Sequence, residues 1–269
     1  MTDPTPVHFF DILSELPGPS KAWSPNTLKT RIALNYKAIP YTQTYITYPD
    51  IAPLCTSLLV PPHPDGTAHT PFTLPVIYHP SISSPTGAHA LMDSLPIARY
   101  LEEKYPARPL FPSGHASYAL AVAVDKLMCD VSTAVYTLIV PPIAQILDPR
   151  GKEFYIRTRS SSAMFGKPLE EIRPRDEETV RALVEKMKGE MRPVVQMLQG
   201  KSDKSGPFFE GGTPGYADFT CVAFLIWFRV ADEELWGEIM GLGEGVVRGL
   251  WDAVYPWVEG QGEGRDWVV

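Results

Sequence analysis

Residues 24–41 of this chain read SPNTLKTRIALNYKAIPY, and this stretch decides how the first part of the chain folds. Serine followed by proline is typical of a helix start, because serine caps the first turn and proline lacks the N–H that would have no partner there. Leu28, Ile32 and Tyr36 recur at every fourth position. This spacing puts apolar side chains on one face, so the stretch predicts a helix that packs against a core.

Short strand patterns lie on both sides of this helix, at residues 7–12 and 41–48. LPVIYHPS at residues 74–81 predicts a strand that begins on a proline, and residues 89–92 are its expected hairpin partner. DSLPIARYLEEKYP at residues 93–106 predicts a second helix. Two parallel strands joined by a helix require a crossover, and the hairpin adds antiparallel strands. The order therefore predicts a βαβ unit followed by a ββα unit.

Strand patterns disappear after about residue 115, and the rest of the chain predicts helices at residues 115–140, 177–199, 216–230 and 246–258. The first of these is expected to end at Pro141 and Pro142, because proline breaks a helix interior. We therefore expect an α/β plus all-α protein. Residues 1–110 would form the α/β domain and residues 115–269 the all-helical domain.

Composition excludes several classes of protein. The chain has 24 basic and 31 acidic side chains, a net charge of −7 without a basic block, so we expect no binding to nucleic acid or to a membrane surface. Residues 1–20 contain no basic n-region and no apolar h-region, so we expect no secretory signal. The most apolar stretch, residues 221–228, is too short to span a bilayer. Cys55, Cys129 and Cys221 form no CxxC pair, which favours a reducing compartment. We expect a cytoplasmic protein.

Three positions could carry chemistry, although each has a simpler structural interpretation. Ser24 stands where free N–H groups and a helix dipole favour an anion, and a plain N-cap would also explain it. Leu74-Pro75 could be a cis peptide at a strand start, although most X–Pro bonds are trans. Asp93 and Ser94 could hold the amine and the carboxylate of a zwitterion, and a helix cap is again the alternative. The six histidines lack metal-ligand spacing, so no metal site is expected.

The chain offers, in order, a strand, a helix that begins at Ser24, a strand, a strand that begins at Pro75, a further strand and a helix that begins at Asp93 and Ser94, followed by a helical half. This order resembles that of cytosolic glutathione transferases, in which a thioredoxin-like domain precedes an all-α domain. The resemblance covers nearly the whole chain. GGTPGYADFT at residues 211–220 matches the family's capping segment in the second domain, with Gly215 where Ser or Thr is usual. We therefore expect Asp218 to be structural without a full capping box. SPNT at residues 24–27, with ITYPDI at 46–51, is similar to the fungal class related to bacterial lignin β-etherases.

The resemblance implies glutathione as co-substrate and gives five residues a role in binding it. Ser24 aligns with the serine that hydrogen-bonds the glutathione sulfur. Leu74, ahead of a cis Pro75, would pair its backbone with the cysteinyl part, like an added strand. Asp93 and Ser94 align with the residues that hold the γ-glutamyl end. The loop before Leu74 offers histidines but no Lys or Arg for the glycyl carboxylate.

We therefore expect a serine-type, etherase-related glutathione transferase that directs the thiolate at apolar aromatic electrophiles or peroxides. The helical domain would contribute a hydrophobic pocket for small aromatic ligands, and the fungal class adds an expectation of polyphenol binding. The alternative is a non-catalytic ligandin that carries wood-derived polyphenols, and a third option is a regulatory protein that has lost glutathione. The family also implies a homodimer.

Overall fold

The computed structural model describes residues 5–66, 70–84, 86–200 and 206–267. The chain divides into two compact units, neither of which is one continuous segment. The first consists of Met1–Arg108, Leu147–Phe154 and Trp257–Val269, and the second consists of Pro109–Ile146 and Tyr155–Pro256. The prediction of an α/β part followed by a helical part is confirmed, with a thioredoxin-like sheet in the first unit.

The first unit holds every strand that the described residues form. The strands are β1 Val7–Ile12, β2 Tyr41–Ile46, β3 Val76–Tyr78, β4 Ala90–Met92 and β5 Glu263–Gly264. Its helices are α1 Pro25–Tyr36, α2 Ile51–Ser57 and α3 Ser94–Lys104, with 3-10 turns at Gly18–Lys21 and Tyr48–Asp50. The predicted βαβ and ββα order is therefore present, and α2 fills the proline-rich stretch between them.

The strands form one sheet in the order β4-β3-β1-β2-β5. β1 is parallel to β2 and antiparallel to β3, and β3 is antiparallel to β4. The expectation that strands end before residue 115 is wrong, because β5 pairs in parallel with β2 at its outer edge. A two-residue strand has no periodicity that the sequence could show. β5 forms because the edge of β2 offers backbone hydrogen-bonding groups to it.

A buried ion pair connects α1 to the sheet. Arg31 Nη2 lies 2.7 Å from Asp11 Oδ2, and both side chains are fully shielded from solvent. Arg31 Nη1 also donates to Gln43 Oε1 at 2.8 Å. Burial alone would lower the pKa of Arg31, but the charge and hydrogen bond of Asp11 together with the interactions of Tyr41 and Tyr45 raise that pKa above its ordinary value. Because Asp11 belongs to β1 and Gln43 to β2, one guanidinium joins the helix to two strands.

The remaining helices are α4 His115–Ala134, α5 Tyr136–Ile143, α6 Pro149–Ser160, α7 Glu177–Gln199, α8 Tyr216–Ala231, α9 Glu233–Met240 and α10 Val246–Val258, with 3-10 turns at Leu169–Glu171 and Leu242–Gly245. In the second unit α4 packs against both α7 and α8. Apolar side chains such as Val124, Met128 and Phe219 are fully buried there. No helix in the described ranges is both long enough and apolar enough to cross a membrane.

The prediction that a helix stops at Pro141 is wrong. The helix ends earlier, with Val135 as the residue between α4 and α5, and both prolines lie inside α5. A helical residue in the place of Pro142 would donate its N–H to the carbonyl of Leu138, four residues back. Arg173 Nη1 donates to that carbonyl instead, at 2.6 Å. A distant side chain therefore supplies the hydrogen bond that the proline cannot make.

Asp218 has the structural role that the sequence predicts. Its carboxylate accepts from the backbone N–H of Gly215 at 2.7 Å and from that of Phe209 at 2.8 Å. Gly215 has no side chain to return the bond, so the carboxylate half of a capping box is present without the other half. The start of α8 is thereby fixed to the loop before it.

His8 is buried on β1, where both ring nitrogens have hydroxyl partners on β2. Nδ1 lies 2.6 Å from Thr42 Oγ1, and Nε2 lies 3.0 Å from Thr44 Oγ1. The indole of Trp267 packs against the ring with centroids 4.7 Å apart. Burial, with a smaller contribution from the charge of Arg265, lowers the pKa of His8 from 6.5 to about 4.

We expect His8 to make the fold sensitive to acid. The unfolded chain binds a proton near pH 6.5 and the folded chain only near pH 4, so His8 adds stability above pH 6.5 that is lost as the pH falls to about 4. A shift of this size corresponds to about 3 kcal/mol. Urea unfolding of the wild type and of His8→Asn, at several pH values across this window, measures it. Equal losses in the two proteins would contradict the assignment.

Candidate functional site

The register of the sheet brings three chain segments to one end of it. β1 ends at Ile12 and leads into the loop before α1. β3 runs antiparallel to β1 with Val76 opposite Phe10, so the start of β3 lies beside the end of β1. Met92, the last residue of β4, pairs with Val76. The starts of α1, β3 and α3 therefore meet at this end, and they carry the five predicted site residues.

Ser24 is the N-cap residue of α1 and is buried, with 5 % of its surface exposed. Its carbonyl accepts from the backbone N–H of Leu28 at 2.9 Å and from Thr27 Oγ1 at 3.2 Å. Its side chain makes no capping hydrogen bond, and its hydroxyl has no partner among the residues that the structure describes. The plain-cap interpretation therefore fails for the side chain, although the backbone is fixed as a cap would require.

The first turn of α1 favours an anion. Pro25 has no N–H, and the N–H groups of Asn26 and Thr27 precede the first helical hydrogen bond, which Leu28 donates to Ser24. These N–H groups carry the positive end of the helix dipole. A negative sulfur beside Ser24 would meet a hydroxyl donor and this positive helix end together.

The Leu74–Pro75 peptide bond is cis, as the resemblance implies. The Pro75 carbonyl accepts from the backbone N–H of Asp93 at 3.1 Å. Leu74 is buried immediately ahead of β3, and within the described ranges its backbone N–H and C=O have no partner. A peptide-like ligand could therefore bond to this backbone in the manner of an added strand.

Asp93 adopts a backbone conformation that L-residues rarely use, with φ 81° and ψ 137°. Such conformations cost on the order of 1–3 kcal/mol and occur preferentially at functional sites. Asp93 is the N-cap residue of α3, and its exposed side chain makes no capping hydrogen bond. Ser94 follows as the first residue of α3 and is buried. A carboxylate is thus held at a helix start without capping that helix.

The loop before Leu74 contributes one described histidine. His63 Nε2 lies 2.8 Å from Thr73 Oγ1, and the His63 backbone N–H donates to Pro71. His69 lies outside the described residues. Residues 38–98 contain no Lys or Arg, so this loop has no such side chain to pair with the carboxylate of a ligand. In the described part of the chain, no three His, Cys, Asp or Glu side chains are grouped as metal ligands would be.

Two features of this site were beyond the sequence. The strained backbone of Asp93 could not be read from Asp-Ser before a helix, because a relaxed cap has the same pattern. The second is the segment after α10, which contacts α1 through the side chains of Arg31 and Asn35. Its only sequence signals are the closely spaced glycines Gly260, Gly262 and Gly264.

Comparison with known proteins gives consistent matches. The family model described as the glutathione S-transferase N-terminal domain matches residues 23–104, and the model for the C-terminal domain matches residues 119–257. The glutathione S-transferase-like protein ustS of Aspergillus flavus is 55% identical over 272 residues, covering 100% of this chain and 96% of that protein.

Two solved structures of fungal proteins are similar over nearly their whole length. A glutathione S-transferase of Ceriporiopsis subvermispora, crystallised with glutathione, is 31% identical with a TM-score of 0.81, covering 94% of this chain and 98% of that one. Glutathione transferase GSTFuA3 of Phanerochaete chrysosporium is 30% identical with a TM-score of 0.76, covering 94% and 97%.

The conformation of Asp93 leads to a prediction about stability. Glycine adopts positive φ freely and alanine does not, so Asp93→Gly should be more stable than Asp93→Ala by about 1 kcal/mol, although glycine loses more chain entropy on folding. Both variants lack the carboxylate, which makes each the control for the other. Urea unfolding at neutral pH measures the difference, and an Asp93→Ala protein as stable as Asp93→Gly would contradict the assigned strain.

Proposed function

Because this chain belongs to the glutathione S-transferase family, we propose that it is a serine-type glutathione transferase in which Ser24 activates the glutathione thiol. The observation that carries the proposal is the Ser24 hydroxyl, which is held at the start of α1 and makes no capping bond. A hydroxyl that the fold does not use is available to donate to sulfur.

In this proposal, glutathione is bound by Leu74, at one end of the sheet, and by Asp93 and Ser94 at the start of α3. The free backbone N–H and C=O of Leu74 would pair with the cysteinyl residue of glutathione. The Asp93 carboxylate would accept from the γ-glutamyl ammonium, and Ser94 with the N–H groups of α3 would donate to the γ-glutamyl carboxylate. These contacts match a zwitterion at one end of the ligand and a peptide backbone in its middle.

The activating role falls to α1. Ser24 would donate its O–H to sulfur, and the dipole of α1 would add to this effect, so both groups stabilise the thiolate over the thiol. Each unit by which the thiol pKa falls corresponds to about 1.4 kcal/mol. When bound, glutathione supplies the sulfur nucleophile, which forms a bond to an electrophilic carbon as the leaving group departs with its electron pair. Ser24 itself stays unmodified.

The wider proposal concerns the rest of the protein. We infer that residues 1–110 bind glutathione, that residues 115–269 supply an apolar pocket for small aromatic molecules, and that the protein is a cytoplasmic homodimer. These steps rest on the family and on its fungal, etherase-related class. Light scattering that shows only the monomer mass at micromolar concentration would contradict the dimer.

Polyphenols could be substrates or only cargo, and turnover distinguishes a transferase from a ligandin. A transferase converts a generic aryl halide or aryl thiocyanate in the presence of glutathione. A ligandin binds glutathione and aromatic ligands without turnover. A protein that immobilised glutathione fails to capture would contradict both.

Ser24→Ala tests the activating role. We expect it to raise the thiol pKa of bound glutathione and to lower turnover at neutral pH, because the hydroxyl donor is lost. Some pKa depression should persist, since the dipole of α1 survives. Affinity for glutathione and the free energy of unfolding should change little, because the side chain neither holds the γ-glutamyl end nor caps α1. The thiolate absorbance of the complex, titrated against pH, gives the thiol pKa directly.

Ser14→Ala is the matched control for Ser24→Ala. Ser14 is also buried and precedes α1, but its hydroxyl donates to the carbonyl of Lys21 at 2.9 Å. Removing it should lower stability by about 1 kcal/mol and leave the thiol titration unchanged. An unchanged titration and rate in Ser24→Ala would reduce Ser24 to a structural residue. Ser24→Cys should form a mixed disulfide when glutathione disulfide is supplied, because the new thiolate can attack that disulfide and release one glutathione thiolate.

The same Asp93 variants test the binding role. Asp93→Ala and Asp93→Gly should weaken glutathione binding equally, by about 1.5–3 kcal/mol, the usual contribution of a charged hydrogen bond. This corresponds to an increase of about 10- to 150-fold in Kd. Calorimetric titration with glutathione measures both variants, and equal losses despite unequal stability would separate binding from folding. An unchanged Kd in a folded variant rules out the ammonium contact.

A further inference from the structure

We propose that residues 257–267, here called the strap, position α1 for its chemistry, with Gln261 and Arg31 as the positioning residues. The inference rests on the proposed role of Ser24, because α1 carries that residue at its start. It adds Gln261, which is 230 residues from Arg31 in sequence, to the residues on which the site depends.

One atom of the strap joins α1 to the sheet. Gln261 Oε1 accepts from Arg31 Nη1 at 2.9 Å and from Tyr45 Oη at 3.0 Å. Gln43 Nε2 lies 3.4 Å from the same oxygen. Arg31 comes from α1, and the other two donors come from β2. Gln261 therefore adds one more acceptor to a buried guanidinium that is already paired with Asp11.

A second contact holds α1 one turn further on. Asn35 Nδ2 donates to the carbonyls of Trp257 at 2.6 Å and Gly260 at 3.0 Å. Asn35 Oδ1 accepts from Tyr41 Oη at 3.1 Å. Because Arg31 and Asn35 are four residues apart, they lie on the same face of α1. The strap thus fixes that face at two successive turns.

The strap fits so closely that it requires glycine. A Cβ atom on Gly260 would lie 2.6 Å from the Asn35 side chain. A Cβ on Gly262 would lie 2.4 Å from the ring of Tyr41 and 2.8 Å from its carbonyl oxygen. By contrast, a Cβ on Gly264 would meet nothing within 4 Å. Two glycines in one strap therefore differ in whether a methyl group can be added.

The strap then passes round the edge of the sheet. Glu263 and Gly264 pair with β2 as β5, and Thr44 Oγ1 donates to the carbonyl of Arg265. The indole of Trp267 packs on Phe10 with centroids 5.1 Å apart. Asp11, which bonds Arg31, follows Phe10 in β1, and neighbouring residues of a strand point to opposite faces. The strap therefore contacts α1 on one face of the sheet and ends on the other.

These contacts bear on Ser24 because α1 moves as one body. Arg31 follows Ser24 by seven residues, which is about two helical turns and about 10 Å along the axis. A helix held at Arg31 and Asn35 has its first turn held in place as well. Displacement of a catalytic group by about 1 Å can lower a rate by about 100-fold. The strap is therefore expected to affect the activation of the thiol more than the binding of glutathione, which depends on Leu74 and Asp93.

The test compares Gly262→Ala with its control Gly264→Ala in the full-length protein. Gly262→Ala should displace the strap, raise the thiol pKa of bound glutathione, and lower kcat at neutral pH by at most about tenfold for each unit of that rise, the largest change in thiolate fraction that such a rise allows. The Kd for glutathione should change by less than about twofold. Gly264→Ala should match the wild type in all three. Measurements well below the melting temperature keep the effect apart from lost stability.

Two substitutions at Gln261 keep the test independent of the added methyl group. Gln261→Met removes the acceptor and should raise the thiol pKa. Gln261→Glu retains an oxygen that can accept from the same three donors, so the thiol of bound glutathione should titrate as it does in the wild type. A strap that only stabilises the fold would lower the melting temperature of Gly262→Ala and Gln261→Met without moving the thiol titration, and that result would overturn the proposal.

The outcome in the wild type separates this inference from the proposed function. If bound glutathione has the thiol pKa of free glutathione in the wild type, or if Ser24→Ala leaves it unchanged, then the proposed role of Ser24 fails, and the strap proposal fails with it. If Ser24→Ala moves the titration while both Gly262→Ala and Gln261→Met leave it unchanged, only the strap proposal is wrong.

Discussion

The ion pair between Asp11 and Arg31 is the constraint on which the α/β unit depends. Both charges are fully buried, and a buried charge is tolerated only when it is paired and hydrogen-bonded. Removing one partner of such a pair typically costs about 3–5 kcal/mol. Because Asp11 lies on β1 and Arg31 on α1, the requirement fixes the helix against the centre of the sheet. Gln43 and Gln261 add partners from β2 and from the end of the chain.

The sheet and α1 position different residues of the candidate site. The pairing of β3 with β1 and β4 sets where Leu74 and Asp93 lie, and these positions follow from backbone hydrogen bonds. The position of Ser24 follows instead from α1, and thus from side-chain contacts of Arg31. In the proposed function, the binding of glutathione and the activation of its thiol therefore depend on different interactions. Substitutions in one set can change affinity, and substitutions in the other can change reactivity, within the same small region.

Sequence periodicity predicted the elements well where the pattern is long. The helices at residues 177–199 and 246–258 begin and end where the apolar spacing indicates. It failed where a partner far along the chain decides the structure. Pro141 and Pro142 lie within a helix whose lost hydrogen bond at Leu138 is replaced by Arg173. In the same way, β5 forms because an edge of the sheet is available to it, and a sequence of two residues does not predict that pairing.

For the candidate site, the sequence offers residue types and their order along the chain, and the conformation of each side chain is known only from the structure. A serine or an aspartate before a helix has the same sequence pattern whether or not its side chain caps, because the choice of rotamer decides. At Asp93 the backbone adds what the sequence lacks. Glycine would adopt φ 81° without strain, so aspartate costs this fold on the order of 1–3 kcal/mol, and no capping bond offsets it. The proposed contact with the ammonium of a γ-glutamyl group would give this exposed carboxylate a cationic partner, and such a contact would account for a carboxylate kept at that cost.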